Sequence, residues 1–269
     1  MEQIYFYSTV IIFAVVGLCV GSFLNVVISR LPYGISLAFP RSTCPKCKSQ
    51  IKWYDNIPLI AYLILGGKCR NCKQNISFEY FFVELLNLIL WFLSAVFFYT
   101  NGIFYTAIVC IFLSALICVA LIDEKHLFIP DSLQLVILIC SVANLFINYG
   151  IALNLIGGFL IGAIFFLFFY FASFLLFKRE GLGFGDIKLM GVAGLMLGAK
   201  AVCVAIFISV ILALIGIIIK HFVSPIKTRL PIAEPCDEFA FAPYLCLGIA
   251  FSLFFGEQIA DIYLSILII

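Results

Sequence analysis

Eight apolar runs separated by polar loops leave this chain few ways to fold. A helix needs about 20 mostly apolar residues to cross a bilayer, and runs at or approaching that length occupy residues 4–28, 81–99, 103–122, 132–147, 151–177, 187–198, 201–219 and 243–260. The fourth and sixth are short. With 65% hydrophobic and 11% charged residues, the chain carries more apolar side chain than a water-soluble domain needs for its core. The fold class expected is an all-α polytopic membrane protein of about eight transmembrane helices. Its parts are a first transmembrane helix (1–28), a small cytoplasmic four-cysteine domain between the first and second helices (29–80), and a membrane core (81–269).

The first run should stay as an anchor, because no basic residue precedes it and no small-residue cleavage site follows it. Orientation is read from the loops, since cytoplasmic loops are enriched in Lys and Arg. All but Lys200 of the 16 lysines and arginines fall in the odd-numbered loops. Those loops are therefore expected to face the cytoplasm, with the amino terminus outside. The even loops are short, so any chemistry should be cytoplasmic. The net charge of +2 says little by itself, since the distribution of Lys and Arg among the loops carries the information; the apolar runs make the lipid bilayer the expected partner, and nucleic acid is not suggested.

Seven of the 11 cysteines (Cys19, Cys110, Cys118, Cys140, Cys203, Cys236 and Cys246) stand singly in or near apolar runs, where a thiol behaves as a small hydrophobe. The other four form Cys44-Pro-Lys-Cys47 and Cys69-Arg-Asn-Cys72 in the first loop, 21 residues apart. Reducing cytoplasm favours metal over disulfides, and four thiolates suit a tetrahedral structural zinc. A closed shell of four thiolates has no position for water, so catalysis is not assigned to it.

Carboxylates at the edge of a membrane run are functional candidates by default. Asp123 ends one run and Asp186 precedes another, both at the expected cytoplasmic face. Two such groups suit aspartic proteolysis: the ionised one takes a proton from water while the protonated one polarises the scissile carbonyl. Gly183 and Gly185 precede Asp186, where a flexible backbone lets a substrate strand approach, and Lys188, if near, would favour ionisation of Asp186. The bland reading makes Asp186 a helix cap. Asp131, after Ile129-Pro130, is read as the cap of its own helix. Glu84 is expected at the interface or against a neighbouring helix, and Glu124, Lys125 and His126 in a solvated loop. Gly181-x-Gly183-x-Gly185 lacks the third glycine of a dinucleotide fingerprint, and no Gly-x-Ser-x-Gly elbow is present.

Several stretches taken together resemble one family. They are Gly21-Ser22-Phe23-Leu24-Asn25-Val26-Val27-Ile28 with Arg30-Leu31-Pro32; the paired Cys-x-x-Cys segment with Trp53-Tyr54-Asp55-Asn56-Ile57-Pro58; Asp123 with Ile129-Pro130-Asp131; Gly183-Phe184-Gly185-Asp186-Ile187-Lys188-Leu189; and Ala242-Pro243-Tyr244. In these the chain resembles the bacterial prepilin peptidases, or type IV leader peptidases. The resemblance implies an inner-membrane aspartic protease of the Gly-x-Gly-Asp type, with Asp123 and Asp186 at the two catalytic positions. Its substrates would be type IV prepilins and pseudopilins, cut after a glycine behind a short basic leader. Members with the paired cysteines also methylate the new amino terminus with S-adenosylmethionine, so a second activity is implied here; no methyl-donor site is legible. In the seventh loop Glu234, Asp237 and Glu238 form an acidic cluster able to attract a basic leader, or simply a solvated face.

Two other classes compete. An ion- or proton-coupled transporter would use Asp123, Asp186 and Asp131 to bind its coupling ion, although such sites favour the bilayer midplane and repeated halves. A zinc-stabilised scaffold would need no chemistry at all.

Overall fold

The computed structural model describes residues 2–178, 183–223 and 239–267, the side chains of residues 177, 223 and 267 excepted. Gly181 and the acidic cluster of Glu234, Asp237 and Glu238 lie outside them. Among the described residues all regular elements are helical, the form that satisfies backbone groups internally where no water is present. In order they are α1 (Glu2–Arg30), α2 (Ile60–Ile64), α3 (Phe78–Phe98), α4 (Ile103–His126), α5 (Asp131–Ile147), α6 (Ala152–Phe177), α7 (Phe184–Leu197), α8 (Ala199–Val223) and α9 (Ala242–Leu267). Each of the eight apolar runs is one of these helices, and α2 is a short addition in the first loop.

Six are long and apolar enough to cross a membrane: α1, α3, α4, α6, α8 and α9. With 17 and 14 residues, α5 and α7 rise only about 25 and 21 Å at 1.5 Å per residue, less than the ~30 Å hydrocarbon core. Large outward side chains such as Phe104, Leu153, Phe168 and Phe207 are exposed, as suits a surface that meets lipid.

The chain divides into two compact units, Met1–Cys118 and Val119–Ile269. In the first, α1 lies along α3 because glycines let the helices approach. A methyl at Gly17 would come within 2.6 Å of Trp91, and one at Gly21 within 2.9 Å of the Glu84 backbone. Hydrogen bonds reinforce the contact, as expected where apolar packing against lipid gives little preference. Asn87 Nδ2 donates to the Gly17 carbonyl at 2.6 Å, Ser114 Oγ to Asn87 Oδ1 at 2.7 Å, and Trp91 Nε1 to Ser114 Oγ at 2.9 Å. Val10, Phe13, Trp91, Ala95 and Cys110 form the apolar core beside them.

The second unit is built round α7, which is buried over most of its length. It opens behind Gly183 and stops at Gly198, whose φ of 84° suits glycine and turns the chain into α8. Helix α6 packs closely along it. A methyl on Gly158 would run into the Gly194 carbonyl, and one on Gly162 would come within 2.6 Å of the Met190 carbonyl, so both positions admit hydrogen alone. Helix α5 holds α7 at both ends: Gln134 Nε2 donates to the Gly185 carbonyl at 3.1 Å and Asn144 Nδ2 to the Met196 carbonyl at 3.2 Å. A short helix buried by its neighbours is thus fixed in depth and rotation, and it carries Asp186.

Candidate active site

Asp123 lies in the last turn of α4, and Asp186 is the third residue of α7. Both are buried, at 7% and 8% exposure. Asp123 Oδ2 accepts the Ala242 N–H at 3.1 Å. Ala242 is the first residue of α9, so this donor is one that the helix itself leaves unpartnered, and the positive end of α9 favours a carboxylate there. Asp186 accepts the Gly183 N–H. The two carboxylates are near enough for their charges to repel. The buried thiol of Cys246 on α9 feels both, and the sequence held no sign that this cysteine differs from the other buried ones.

Asp186 does not occupy the cap position of α7. Gly183 does, and Asp186 sits three residues on, reaching back to the cap's own N–H. Neither glycine has a left-handed backbone: Gly183 has φ −69° and ψ 138°, angles open to any residue, and Gly185 is helical. What they supply is space. A Cβ on Gly183 would lie 3.3 Å from Asp186 Oδ2, and one on Gly185 3.3 Å from Ile129.

Lys188 was expected to act on Asp186 if near. Its Nζ is bonded to Asp131 Oδ1 at 3.0 Å and lies 5.3 Å from the centre of the Phe184 ring. Asp131 is the first residue of α5 with Pro130 at the cap position and no capping bond, so its side chain is an ion-pair partner and not the expected cap. Both side chains are well exposed, 43% and 85%, and such a pair contributes about 0–1 kcal/mol.

In the first unit the four cysteines come together: one Sγ from each of Cys44, Cys47, Cys69 and Cys72 lies within 4.8 Å of the others. They sit on two hairpins of the same construction. Thr43 pairs with Gln50 and Lys68 with Asn75; Cys44 N bonds Ser49 O and Lys48 N bonds Cys44 O, just as Cys69 N bonds Gln74 O and Lys73 N bonds Cys69 O. Lys48 and Lys73 take matching φ values of 58° and 59°. The sequence carries this repeat as Cys-x-x-Cys-Lys-x-(Gln/Asn)-Ile at 44–51 and 69–76, a signal hidden by reading the cysteines alone. Hydrogen bonds from the Ser49 side chain, then its backbone, bring the Cys47 thiol down to about 6, toward the thiolate that binds metal. Four converging sulfurs on turn backbones fit a tetrahedral ion such as zinc. Arg70 braces the second hairpin by gripping Asp55 with Nε and Nη2, at 2.6–3.0 Å.

Known proteins align with these two units in turn. The family described as bacterial peptidase A24 N-terminal domain matches residues 15–98, and the type IV leader peptidase family matches residues 110–218. A prepilin leader peptidase/N-methyltransferase of Pseudomonas aeruginosa is 34% identical, the alignment covering 93% of this chain and 91% of the relative. The chain belongs to the type IV leader peptidase family. A second family member of the same name, from Vibrio cholerae, is 35% identical over 80% of this chain and 86% of its own length. No solved structure matches the chain. For a type IV leader peptidase family member, the buried carboxylates on α4 and α7 are the groups to test for peptide hydrolysis, and the transporter reading loses its ground.

Proposed function

We propose that this protein is a membrane aspartic endopeptidase that removes the short basic leader from type IV prepilins and pseudopilins and then methylates the new amino terminus. The observation that carries the first activity is the pair of buried carboxylates, Asp123 and Asp186, within each other's electrostatic reach. Like charges so placed share one proton more readily than they both ionise. The ionised carboxylate takes a proton from a water molecule, whose oxygen attacks the scissile carbonyl; the protonated one donates to the carbonyl oxygen as negative charge develops there. The tetrahedral intermediate then breaks its C–N bond, and the leaving amine takes up a proton. The Ala242 N–H on Asp123 and the Gly183 N–H on Asp186 orient the two groups. Gly183 and Gly185 keep room for them, and Lys188, through Asp131, ties the start of α7 to the start of α5.

All eight membrane runs cross or enter the bilayer of the bacterial inner membrane, with the odd-numbered loops cytoplasmic. That face is where a precursor with a basic leader and a following apolar helix would present its scissile bond. Residues 29–80 form a domain on that face, in which Cys44, Cys47, Cys69 and Cys72 hold a structural zinc. The closed set of four thiolates gives such an ion a folding role, since it would link two hairpins that bury little apolar surface. Methylation draws on S-adenosylmethionine, which supplies an electrophilic methyl group when bound, and the relatives' printed name supports it.

The test is cleavage of a basic-leader, apolar-helix precursor by purified protein in detergent, with no ion gradient. Cutting at the leader boundary that is lost in both Asp123→Asn and Asp186→Asn establishes the reading; no cutting by folded wild type across several precursors overturns it.

A further inference from the structure

Asp123 and Asp186 stand on different helices, and something must set one against the other. Helix α7 packs chiefly along α6 and α5, not along the turn of α4 that carries Asp123. The connection from α4 into α5 supplies the link. The backbone carbonyl of Asp123, in a last turn whose carbonyls lack helical partners, accepts the Leu127 N–H at 2.9 Å. Leu127 has φ 57°. This is the left-handed cap on which a helix usually places glycine, and a residue with a Cβ adopts it at a cost. Ile129 then lies against Gly185, at the start of α7. Gln134, in the first turn of α5 and only 7% exposed, donates from Nε2 to the Gly185 carbonyl at 3.1 Å.

That bond falls on the peptide next to the carboxylate. The Gly185 carbonyl and the Asp186 N–H belong to one planar unit, and the N–H donates to the Gly183 carbonyl at 3.1 Å. Both polar groups of the peptide ahead of Asp186 are therefore held from outside it, which fixes the direction in which the Asp186 side chain leaves the helix. Stability alone gives little reason for Gln134. The Gly185 carbonyl lies within α7, where the helix ladder supplies a donor of its own, and a buried amide costs free energy that an apolar side chain of the same size would not. What the second donor adds is orientation.

We propose that Gln134 is a positioning residue for leader cleavage, which together with the Leu127 turn sets Asp186 against Asp123. The assignment rests on the peptidase reading above. Gln134 acts through the Gly185–Asp186 peptide and not on the reacting atoms. Without it the peptide turns and the Asp186 carboxylate moves relative to Asp123; a displacement of about 1 Å in a reacting group costs up to about a hundredfold in rate. The Leu127 turn adds to the demand, since a costly backbone conformation relaxes when the contacts that impose it are cut.

The experiment measures kcat and KM for a basic-leader, apolar-helix precursor, with the thermal midpoint, on purified full-length protein in detergent. Gln134→Met removes the donor at nearly constant volume and should lower kcat about ten- to a hundredfold with KM within about twofold. The tie at the other end of α7, Asn144 Nδ2 on the Met196 carbonyl at 3.2 Å, is the control. Asn144→Leu should lower the thermal midpoint at least as far and leave kcat within about threefold, because it is remote from the carboxylates. Gln134→Asn, whose amide is too short to reach Gly185, should match Gln134→Met and answers the same question if the methionine variant is unstable. Adding Leu127→Gly, which removes the backbone cost, should return part of the lost kcat. Equal loss of kcat in the Gln134 and Asn144 variants overturns the proposal by making the role structural, and a rise in KM alone overturns it by making Gln134 a substrate contact. No recovery in the double variant overturns it too, since Gln134 would then act on Asp186 without reference to Asp123. Wild type that cuts while Asp123→Asn and Asp186→Asn do not, with Gln134→Met at full rate, overturns the proposal alone; wild type that cuts no precursor overturns the peptidase reading, and the proposal with it.

Discussion

The four cysteines of the first unit and the two aspartates of the second are both candidate sites, but they are assembled at different ranges of the chain. The sulfurs stand on hairpins whose sequences repeat one another, and each hairpin presents its pair through its own turn, with Lys48 and Lys73 in matching conformations. The carboxylates stand on α4 and α7, whose sequences have nothing in common but apolar neighbours. Each is completed by a backbone donor, Ala242 for Asp123 and Gly183 for Asp186. A locally built site should survive changes elsewhere and fail when one of its own ligands goes. A tertiary site should also fail when helix packing is disturbed at a distance.

The sharpest way to break that comparison is at the carboxylates. Asp123→Asn and Asp186→Asn should each lower leader cleavage by about 10³-fold or more, within the range of a lost acid–base group, with zinc content and thermal midpoint little changed. A variant that still cuts removes that residue from the pair. Next in size are the glycines. A methyl on Gly183 would crowd Asp186 Oδ2 at 3.3 Å, so Gly183→Ala should slow cleavage about ten- to a hundredfold, as displacement of a reacting group does. Gly185→Ala should slow it less, and Ile129→Val, which trims the side chain it would meet, should restore part of the loss; failure of that rescue would make Gly185 a matter of backbone freedom after all.

The cysteine site should respond separately. Wild type should carry about one zinc per chain, measured by metal analysis, and Cys47→Ser or Cys72→Ser should lose it while reducing cleavage less than either aspartate change. Thiols that alkylate freely in metal-free wild type would sink the site. A smaller effect concerns pH. Arg70 holds the Asp55 carboxylate below its ordinary 3.8. Its contribution to the hairpin is thus fully present above that value and is lost as pH falls through the lower, folded one. Limited proteolysis of the segment should be unchanged between pH 7 and 5, and Asp55→Asn should raise it at both. Smallest of all, Asp131→Asn breaks an exposed pair of about 0–1 kcal/mol and should leave cleavage within about twofold; complete loss would draw Asp131 into the chemistry.

Much of the architecture was legible because a membrane simplifies the code. Apolar runs had to become helices, and all eight did, with ends within a few residues except where α4, α8 and α9 run further into their polar flanks. The cysteine spacing was legible for a similar reason, since ligands close in sequence are close in space. Less legible were the reasons behind single residues. Asp131 read as a cap and is an ion-pair partner, because Pro130 takes the cap position and Lys188 is within reach. Gly183 and Gly185 read as a flexible backbone open to a substrate strand; in the structure a Cβ on Gly183 would crowd the Asp186 carboxylate three residues on, and one on Gly185 would meet Ile129 from the loop before α5. Glu84 read as an interface residue or one set against a neighbouring helix, and it does bond Ser22 and Asn25 of α1. Its place on a cavity depends on a loop that folds back to set Leu59 upon it.

Composition, periodicity and the motifs by themselves determined that the chain is a helical membrane protein, which acids and thiols it offers, and which family it resembles. Those properties are additive along the sequence and need no knowledge of which helix meets which. Only the tertiary structure decided that Asp123 takes its hydrogen bond from the start of α9, that α7 is enclosed by its neighbours, and that the Glu84 carboxylate borders a cavity in the first unit. Each of these depends on contacts between residues far apart in the chain, and in a lipid-facing protein such contacts are chosen by close packing at small residues and by single hydrogen bonds, which leave almost no periodic trace.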